Sequence, residues 1–478
     1  MFMINKLNDK EKESLLRDKY FLLLILIEIV FAILLLSPSI HGTDGVSNFV
    51  YLRSLVVDHN IDFTNEYEYF DNTKDYPFKF KELGITKTGK PINRYGIGSS
   101  ILWSPFYITV YNIRAILNIF DHKFSLEGYE YPFILAIALG TAFYGSLGLI
   151  AIYLLLRLYF TPFLSFIAVL SFWFCSPAIF YMYLHPSMSH IPSFFLISTF
   201  YYLFFKRIYQ IKPHKYFRLG ILFSLAVMTR YQDIIHIVPF TIAVIILIIK
   251  LKKENNPKLK KVRYSIIAFI IAAFLTFIPQ MIVWKYLNGS FFSGPTSYLD
   301  YGTNILKPVH FVDVMFSSKN GLFFYHPFLL IAVVGLIIYL RKEWVISIVF
   351  LLAFLCTLFL VSCWAVWFAG ASFGHRMFVS SGIMFAFGFA AFYKHILREN
   401  KFIITFLFLI FFLWNIGLIV QYSTKMIPHQ DYVSFKTIVQ NQFRRVPQEF
   451  VMYIGRFFGN KESFRTWDSE KTDNTEKL

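Results

Sequence analysis

Long apolar segments recur along the whole chain and restrict the folds open to it. A helix that crosses a bilayer needs about 20 mostly apolar residues to cover a hydrocarbon core of about 30 Å. Eleven segments approach that length and composition: 20–38, 132–156, 163–181, 190–205, 219–229, 233–249, 264–284, 323–340, 344–362, 377–393 and 402–423. The pattern predicts an all-α polytopic membrane protein with about 11 transmembrane helices. Its predicted partners therefore include the lipid bilayer.

Composition agrees with this fold class. Of the 478 residues, 56% are hydrophobic and only 16% are charged, whereas soluble domains carry about 25% charged residues. The three cysteines, Cys175, Cys356 and Cys363, lie in or beside apolar segments. Their spacing excludes a disulfide framework and a zinc ribbon, and it indicates buried thiols that act as small apolar side chains.

Residues 96–120, GIGSSILWSPFYITVYNIRAILNIF, decide the orientation of every later segment. They are long enough to span, but they contain several polar side chains, including Arg114. If this stretch does not span, six segments lie on the cytoplasmic side: 1–20, Arg157, 206–218, 250–263, 341–343 and 394–401. Short cytoplasmic loops collect Lys and Arg, and these segments contain 23 of the 46 basic residues. We therefore predict an amphipathic interfacial helix here, inside a long first extracytoplasmic loop, 39–131.

The formal net charge of +17 would suggest a nucleic-acid partner in a soluble protein. The six predicted cytoplasmic segments hold seven of the 29 acidic residues, so the rest of the chain has a net charge of only +1. The excess charge therefore faces the anionic inner leaflet, and no nucleic-acid partner is predicted. The predicted organisation is a cytoplasmic N-terminus (1–19), a transmembrane domain (20–424), an interfacial segment (425–458) and a disordered polar tail (459–478).

Charged and imidazole side chains gather at the turns that this topology places outside. Such groups are costly near membrane depth and mark functional sites by default. Asp44 follows the first span, and a single carboxylate there suits a general base. Cations and neutral donors suit a phosphate, and the candidates are His185, His190, Arg230, Lys319 and Arg376.

Each candidate also has a structural interpretation. Asp44 would cap a helix over 47–57, and the histidines would bond to neighbouring groups. Arg230 would extend its charge toward the interface, Lys319 would be solvated, and Arg376 would simply begin a helix. A cation is unfavourable at a helix N-terminus, which weakens that last interpretation.

The first outer loop also contains a run of carboxylates: Asp58, Asp62, Glu66, Glu68, Asp71 and Asp75. Clustered carboxylates bind divalent cations, but the spacing of a calcium loop is absent and tyrosines interrupt the run. Asp62 and Glu66 stay candidates for an acceptor site or a second acidic site, and a solvated face is the alternative. No cofactor is firmly predicted, the identity of any metal is unknown, and a divalent metal stays an open alternative.

Seven stretches together resemble the multipass glycosyltransferases of the C superfamily, bacterial relatives of the protein O-mannosyltransferase and aminoarabinose-transferase families. They are GTDG (42–45), VYLRSLVVDHNIDFTNEYEYF (50–70), NRYGIGSSILWSPFY (93–107), HPSMSHIPSFFL (185–196), GILFSLAVMTRYQD (220–233), FSSKNGLFFYHP (316–327) and SFGHRMF (372–378). The resemblance covers about residues 20–395. It is specific as a constellation, although each piece alone is weak.

The resemblance implies a first outer loop with two interfacial helices and an acidic catalytic base early in that loop, which matches Asp44. It implies a polyprenyl-phosphate sugar donor, used on the extracytoplasmic side of a bacterial cytoplasmic membrane, with phosphate contacts at Arg230, Lys319 and Arg376. We therefore expect transfer of a sugar to a glycan, lipid or protein acceptor. An oligosaccharide polymerase and a lipid-linked-sugar flippase or transporter remain as alternatives.

Overall fold

The architecture was analysed in a computed structural model, which describes residues 17–73, 79–206, 208, 210–293 and 309–459. Within these ranges every regular element is a helix, and β pairing is limited to one isolated bridge between Ile85 and Pro91. The all-α class is therefore confirmed for this part of the chain. The predicted disordered tail (459–478) lies outside the described residues except for Gly459, and the predicted N-terminus (1–19) does so up to residue 16.

The α-helices of the described ranges are numbered in chain order. The first ten are α1 (Lys19–Leu35), α2 (Gly42–Arg53), α3 (Thr64–Asn72), α4 (Gly98–Asp121), α5 (Tyr131–Leu156), α6 (Pro162–Phe174), α7 (Ala178–Tyr183), α8 (His190–Lys206), α9 (Pro213–Thr229) and α10 (Ile237–Lys253). The others are α11 (Leu259–Asn288), α12 (Phe311–Phe316), α13 (Leu322–Tyr325), α14 (Phe328–Tyr339), α15 (Trp344–Ser362), α16 (Gly382–His395), α17 (Lys401–Ser423), α18 (Phe435–Gln440) and α19 (Val446–Gly459). Short 3₁₀ segments occur at Phe80–Leu83, Tyr231–His236 and Arg376–Ser381, and π turns at Ser54–Asp58 and Asn441–Arg445.

Among the described residues, six helices are long and apolar enough to cross a membrane. They are Tyr131–Leu156, Tyr231–Lys253, Leu259–Asn288, Trp344–Ser362, Arg376–His395 and Lys401–Ser423. Some of the other predicted spans are interrupted: 163–181 breaks before Pro177, and 323–340 breaks before Pro327. Proline lacks an N–H and disfavours helical geometry in the residue before it. Both prolines are visible in the sequence, but a prediction based on apolar length alone takes no account of them.

Several helices pack at backbone distance because glycine lies at the crossing. A Cβ on Gly220 of α9 would lie 2.3 Å from the Phe269 carbonyl oxygen of α11, and a Cβ on Gly388 of α16 would lie 2.1 Å from the Ala332 oxygen of α14. Close approach of this kind supplies van der Waals contact, which matters where the surrounding lipid is as apolar as the side chains.

Contacts between helix ends define two ends of the bundle. Asp18, at the N-terminus of α1, accepts a hydrogen bond from the Tyr153 hydroxyl (2.7 Å) and pairs with Arg157 (3.2 Å) just after α5. Helix α1 therefore begins at the end of the bundle where α5 finishes. Just beyond α1, the His41 amide donates to the Ser187 hydroxyl (2.9 Å). The chain leaves the bundle after α1 and returns to it at the start of α5, both at this second end. We call it the His41 end.

Helix α4 corresponds to the predicted interfacial helix and has two different halves. Its first half is inserted into the bundle: the indole of Trp103 donates to the Thr141 hydroxyl (2.9 Å), and Gly98 lies against the Thr229 backbone. Its second half exposes large apolar side chains, with Ile119 72% and Phe120 81% accessible. An exposed apolar stripe is typical of a helix that lies at a membrane surface.

Candidate active site

A cavity of about 170 Å³ lies at the His41 end, and four of the predicted site residues line it: Asp44, His190, Arg230 and Arg376. The other described residues that line it are Thr43, Arg94, Tyr95, Gly96, Ser189, Thr229, Tyr231, Gln232, Trp364, Val366 and Met377. With Arg94, three guanidinium groups face one carboxylate. The formal charge of these lining residues is therefore +2 with the histidine neutral.

Asp44 lies in the first turn of α2, and its two carboxylate oxygens have different partners. The Tyr95 hydroxyl donates to Oδ1, and Nη1 of Arg376 contacts Oδ2 at 3.0 Å. The partial positive charge of a helix N-terminus also favours a carboxylate there. The side chain of Asp44 does not cap the helix: α2 begins at Gly42, ahead of the expected start at 47, and the N-cap position belongs to His41. Asp44 is thus held as a carboxylate that still lines the cavity.

The HGTDG turn is pressed against the loop between α7 and α8. Gly42 has a φ of +60°, which is strained for residues with a side chain. A Cβ on Gly45 would lie 2.5 Å from the Ser187 hydroxyl oxygen, the same atom that accepts the His41 amide hydrogen bond. The glycines therefore allow the close approach that places Asp44 opposite Arg376.

His190 and Arg230 meet where α8 begins and α9 ends. Nη1 of Arg230 contacts Nδ1 of His190, and both side chains are buried. A guanidinium can only donate, so Nδ1 of His190 accepts and the ring proton lies on Nε2. That Nε2 is buried and has no hydrogen-bond partner among the described residues. The Nε2–H of His190 is therefore a neutral hydrogen-bond donor beside the cavity.

Arg230 and Arg376, two cations of the cavity wall, each contact a methionine sulfur. Nη2 of Arg230 lies 2.9 Å from the Met377 sulfur, and Nη1 of Arg376 lies 3.1 Å from the Met188 sulfur. A thioether is a weak acceptor, so these two contacts add little to the other interactions of the guanidinium groups, which for Arg376 include the Asp44 carboxylate. Such groups can bind an anion strongly once it enters the cavity.

Arg94 and Tyr95 line the cavity but were absent from the site residues predicted from the sequence. Their loop is anchored by Asn93, whose amide donates to the Ser47 carbonyl (2.8 Å). A Cβ on Gly96 would lie 2.0 Å from the Met228 carbonyl oxygen, so this loop touches the end of α9. The signal for them in the sequence is the NRYG tetrad (93–96) just before the amphipathic helix.

His185 lies behind the cavity rather than on its wall. Its ring stacks on His41 with 3.8 Å between centroids. Burial and the neighbouring imidazoles of His41 and His429 lower the pKa of His185 well below its usual value near 6.5. It is therefore neutral at pH 7, and its ring contacts His41, which precedes α2, and Phe180 of α7.

Lys319 is placed away from the cavity. Its ammonium lies over the Phe368 ring, 3.8 Å from the centroid, and 5.7 Å from that of Tyr432. This cation–π arrangement accounts for its position in the loop between α12 and α13. The structure does not bring it together with Arg230 and Arg376.

The two acidic candidates of the first outer loop have structural partners. Asp62 accepts from the Thr64 amide (3.2 Å) and hydroxyl (2.7 Å) at the start of α3. Glu66 is buried and pairs with Arg53 at 3.0 Å. Neither lines the cavity, and the described residues contain no group of three or more His, Cys, Asp or Glu arranged to hold a metal ion.

Glu66 makes the stability of this loop depend on pH. Burial raises its pKa to about 7, although Arg53 acts in the opposite direction. Between about pH 4.5 and 7 the folded loop keeps a proton that the unfolded chain releases, so stability falls as pH rises through this window and then levels off. We expect the thermal midpoint of wild type to fall more between pH 5 and 7.5 than that of Glu66→Gln. Glu68→Gln, on the exposed side of α3, should follow wild type; parallel curves for all three proteins would refute the assignment.

No family model matches this chain, and no curated protein matches it.

Proposed function

We propose that this chain is an integral-membrane glycosyltransferase that moves one sugar from a polyprenyl-phosphate donor to a glycan, lipid or protein acceptor outside the cytoplasm. The observation that carries the proposal is the meeting of one carboxylate, Asp44, with three guanidinium groups in a single cavity at one end of a helix bundle. These side chains come from distant parts of the chain. A purely structural membrane protein has no need to gather them.

The proposal includes about 11 spans in a bacterial cytoplasmic membrane, with the cavity on the extracytoplasmic side. The Asp18–Arg157 contact supports this topology because it joins two segments that the charge bias assigns to the cytoplasm. The return of the chain to the His41 end between α1 and α5 also supports an α4 that does not cross the membrane. The exposed apolar second half of α4 then lies among the lipid headgroups.

The positive charge of the cavity would stabilise the departing polyprenyl phosphate more than the phosphodiester of the bound donor. A polyprenyl-phosphate sugar is a phosphodiester with one negative charge, and the departing polyprenyl phosphate carries up to two. Arg94, Arg230 and Arg376 together outweigh Asp44 by two charges. Groups that interact more strongly with the leaving phosphate than with the bound donor lower the barrier of the step.

His190 adds a neutral donor to this set. With Nδ1 accepting from Arg230, its Nε2–H is the group that would donate to a phosphate oxygen. The donation needs no change of protonation. It also satisfies a polar atom that is otherwise buried without a partner among the described residues.

In the proposed step, an acceptor hydroxyl or amine forms a bond to the anomeric carbon of the sugar while the bond from that carbon to the phosphate oxygen breaks. The electron pair leaves with polyprenyl phosphate. The acceptor proton passes to Asp44, whose orientation is set by the Tyr95 hydroxyl and the Arg376 guanidinium. Arg376 bridges the two halves of the site because it both pairs with the base and lines the cavity.

The test uses the leaving group that all such donors share. Purified full-length protein is titrated with undecaprenyl phosphate and, as the matched control, undecaprenol, and binding is followed by thermal stability in detergent. We expect the phosphate to bind at least about tenfold more tightly, since charge-assisted hydrogen bonds contribute about 1.5–3 kcal/mol each. Equal binding of the two lipids would contradict the proposal.

Products of a labelled lipid-linked sugar then separate the alternatives: single addition fits this proposal, a processive series indicates a polymerase, and translocation without transfer indicates a flippase.

A further inference from the structure

A second, smaller cavity lies at the opposite end of the α8–α9 hairpin. The two helices run antiparallel between the cavities: His190 and Arg230 line the first, while the last turn of α8 and the first turns of α9 line the second. The 14 residues from His190 to Phe204 cover about 21 Å at 1.5 Å per residue. The second cavity is therefore a separate site, at the surface that the proposed topology assigns to the cytoplasm.

The size and walls of this cavity suit one end of a lipid. Its volume is about 70 Å³; because a water occupies roughly 10–15 Å³ of such a cavity, it holds on the order of five non-hydrogen atoms, the size of a phosphate group. Gln210, Lys215 and Arg218 form its polar side, and Leu203, Phe204 and Leu219 form its apolar side. A site with both kinds of wall fits a headgroup with the start of its acyl chains.

Three further observations point to an anion. Tyr216 lines the cavity and is only 3% exposed, yet its hydroxyl has no hydrogen-bond partner among the described residues. The 17-residue helix α9 begins here without a side-chain cap, and its N-terminus contributes partial positive charge. Lys215 donates a hydrogen bond to the side-chain oxygen of Gln210, which is neutral, and from Tyr131 to Gln232 the chain contains no Asp or Glu.

We propose that this cavity binds the phosphate group of an anionic phospholipid of the adjacent leaflet. Lys215 and Arg218 pair with the phosphate, the Tyr216 hydroxyl donates to one of its oxygens, and the glycerol end of the acyl chains lies against Leu203 and Phe204. Basic pockets between helices on the cytoplasmic side are suited to such headgroups. The inference does not depend on sugar transfer.

The experiment uses the full-length protein in nanodiscs of phosphatidylcholine with increasing phosphatidylglycerol. Phosphatidylglycerol should raise the thermal midpoint in a saturable way, and native mass spectrometry should show lipid that stays bound after detergent release. Inorganic phosphate, added to protein in phosphatidylcholine discs, shows whether the ligand is a phospholipid headgroup or free phosphate. Stabilisation by the lipid alone identifies a phospholipid site, and stabilisation by both identifies a site that binds phosphate itself. Stabilisation by neither overturns the proposal.

Three variants make the test specific to the cavity. Lys215→Gln/Arg218→Gln should require at least about tenfold more phosphatidylglycerol for half of the effect, as loss of about 1.4 kcal/mol predicts. Tyr216→Phe removes one oxygen and keeps the ring, so it should fold normally and still weaken the effect several-fold. The control is Lys260→Gln, an exposed cation of α11 outside the cavity. If the cavity variants respond to phosphatidylglycerol as Lys260→Gln does, the site is not where we place it.

Discussion

Asp44→Asn protein is expected to transfer a labelled sugar from its lipid-linked donor at least about 100-fold more slowly than wild type, because general-base catalysis contributes about 10²–10⁴-fold. The amide keeps the size of the carboxylate and can still accept the Tyr95 hydroxyl hydrogen bond. It cannot take up the acceptor proton, and it no longer neutralises Arg376. The measurement is single-turnover transfer by purified protein at saturating donor.

A loss of activity in this variant is informative only if the donor site persists. Asp44→Asn should therefore bind undecaprenyl phosphate at least as tightly as wild type, because the change removes a negative charge from the cavity. Asp62→Asn is the matched control, since that carboxylate contacts Thr64 at the start of α3, outside the cavity, and it should transfer sugar at the wild-type rate. Full transfer by Asp44→Asn would remove Asp44 from the role of base.

Arg230→Gln protein is expected to bind undecaprenyl phosphate roughly 10- to 100-fold more weakly, the equivalent of one or two charge-assisted hydrogen bonds. Arg230 is 4% exposed and lines the cavity, and its guanidinium has a thioether as one of its partners. The variant also removes the donor that sets the tautomer of His190. Titration of purified protein with undecaprenyl phosphate measures the effect, and binding of undecaprenol should stay unchanged.

Lys319→Gln provides the control for Arg230→Gln and at the same time separates two interpretations. The resemblance to known glycosyltransferases places Lys319 among the phosphate contacts, whereas the structure places its ammonium over the Phe368 ring. If Lys319 keeps this position when the lipid binds, its replacement should change the affinity for undecaprenyl phosphate less than about twofold, because a partly exposed charge outside the cavity contributes little to binding. A loss as large as that of Arg230→Gln would show that the loop containing Lys319 moves to the cavity when the donor binds.

The site could be predicted from the sequence where a residue is conspicuous in its own segment. Asp44, Arg230 and Arg376 each stand alone beside an apolar run, and all three line one cavity. Arg94 and Tyr95 were missed because they lie in a polar loop, where a cation and a tyrosine are ordinary. Asp62 and Glu66 stood out equally, but they make local contacts with Thr64 and Arg53.

The sequence alone determined the properties that depend on segment length and composition: the all-helical class, apolar helices long enough to cross a membrane, and a helix after residue 96. These follow from the cost of placing polar groups in hydrocarbon, which acts on each segment separately. Only the tertiary structure decided which of the isolated charges meet. The distance between Asp44 and Arg376 depends on glycine contacts, helix breaks and the return of the chain to the His41 end, and such packing is a property of the whole bundle rather than of any one segment.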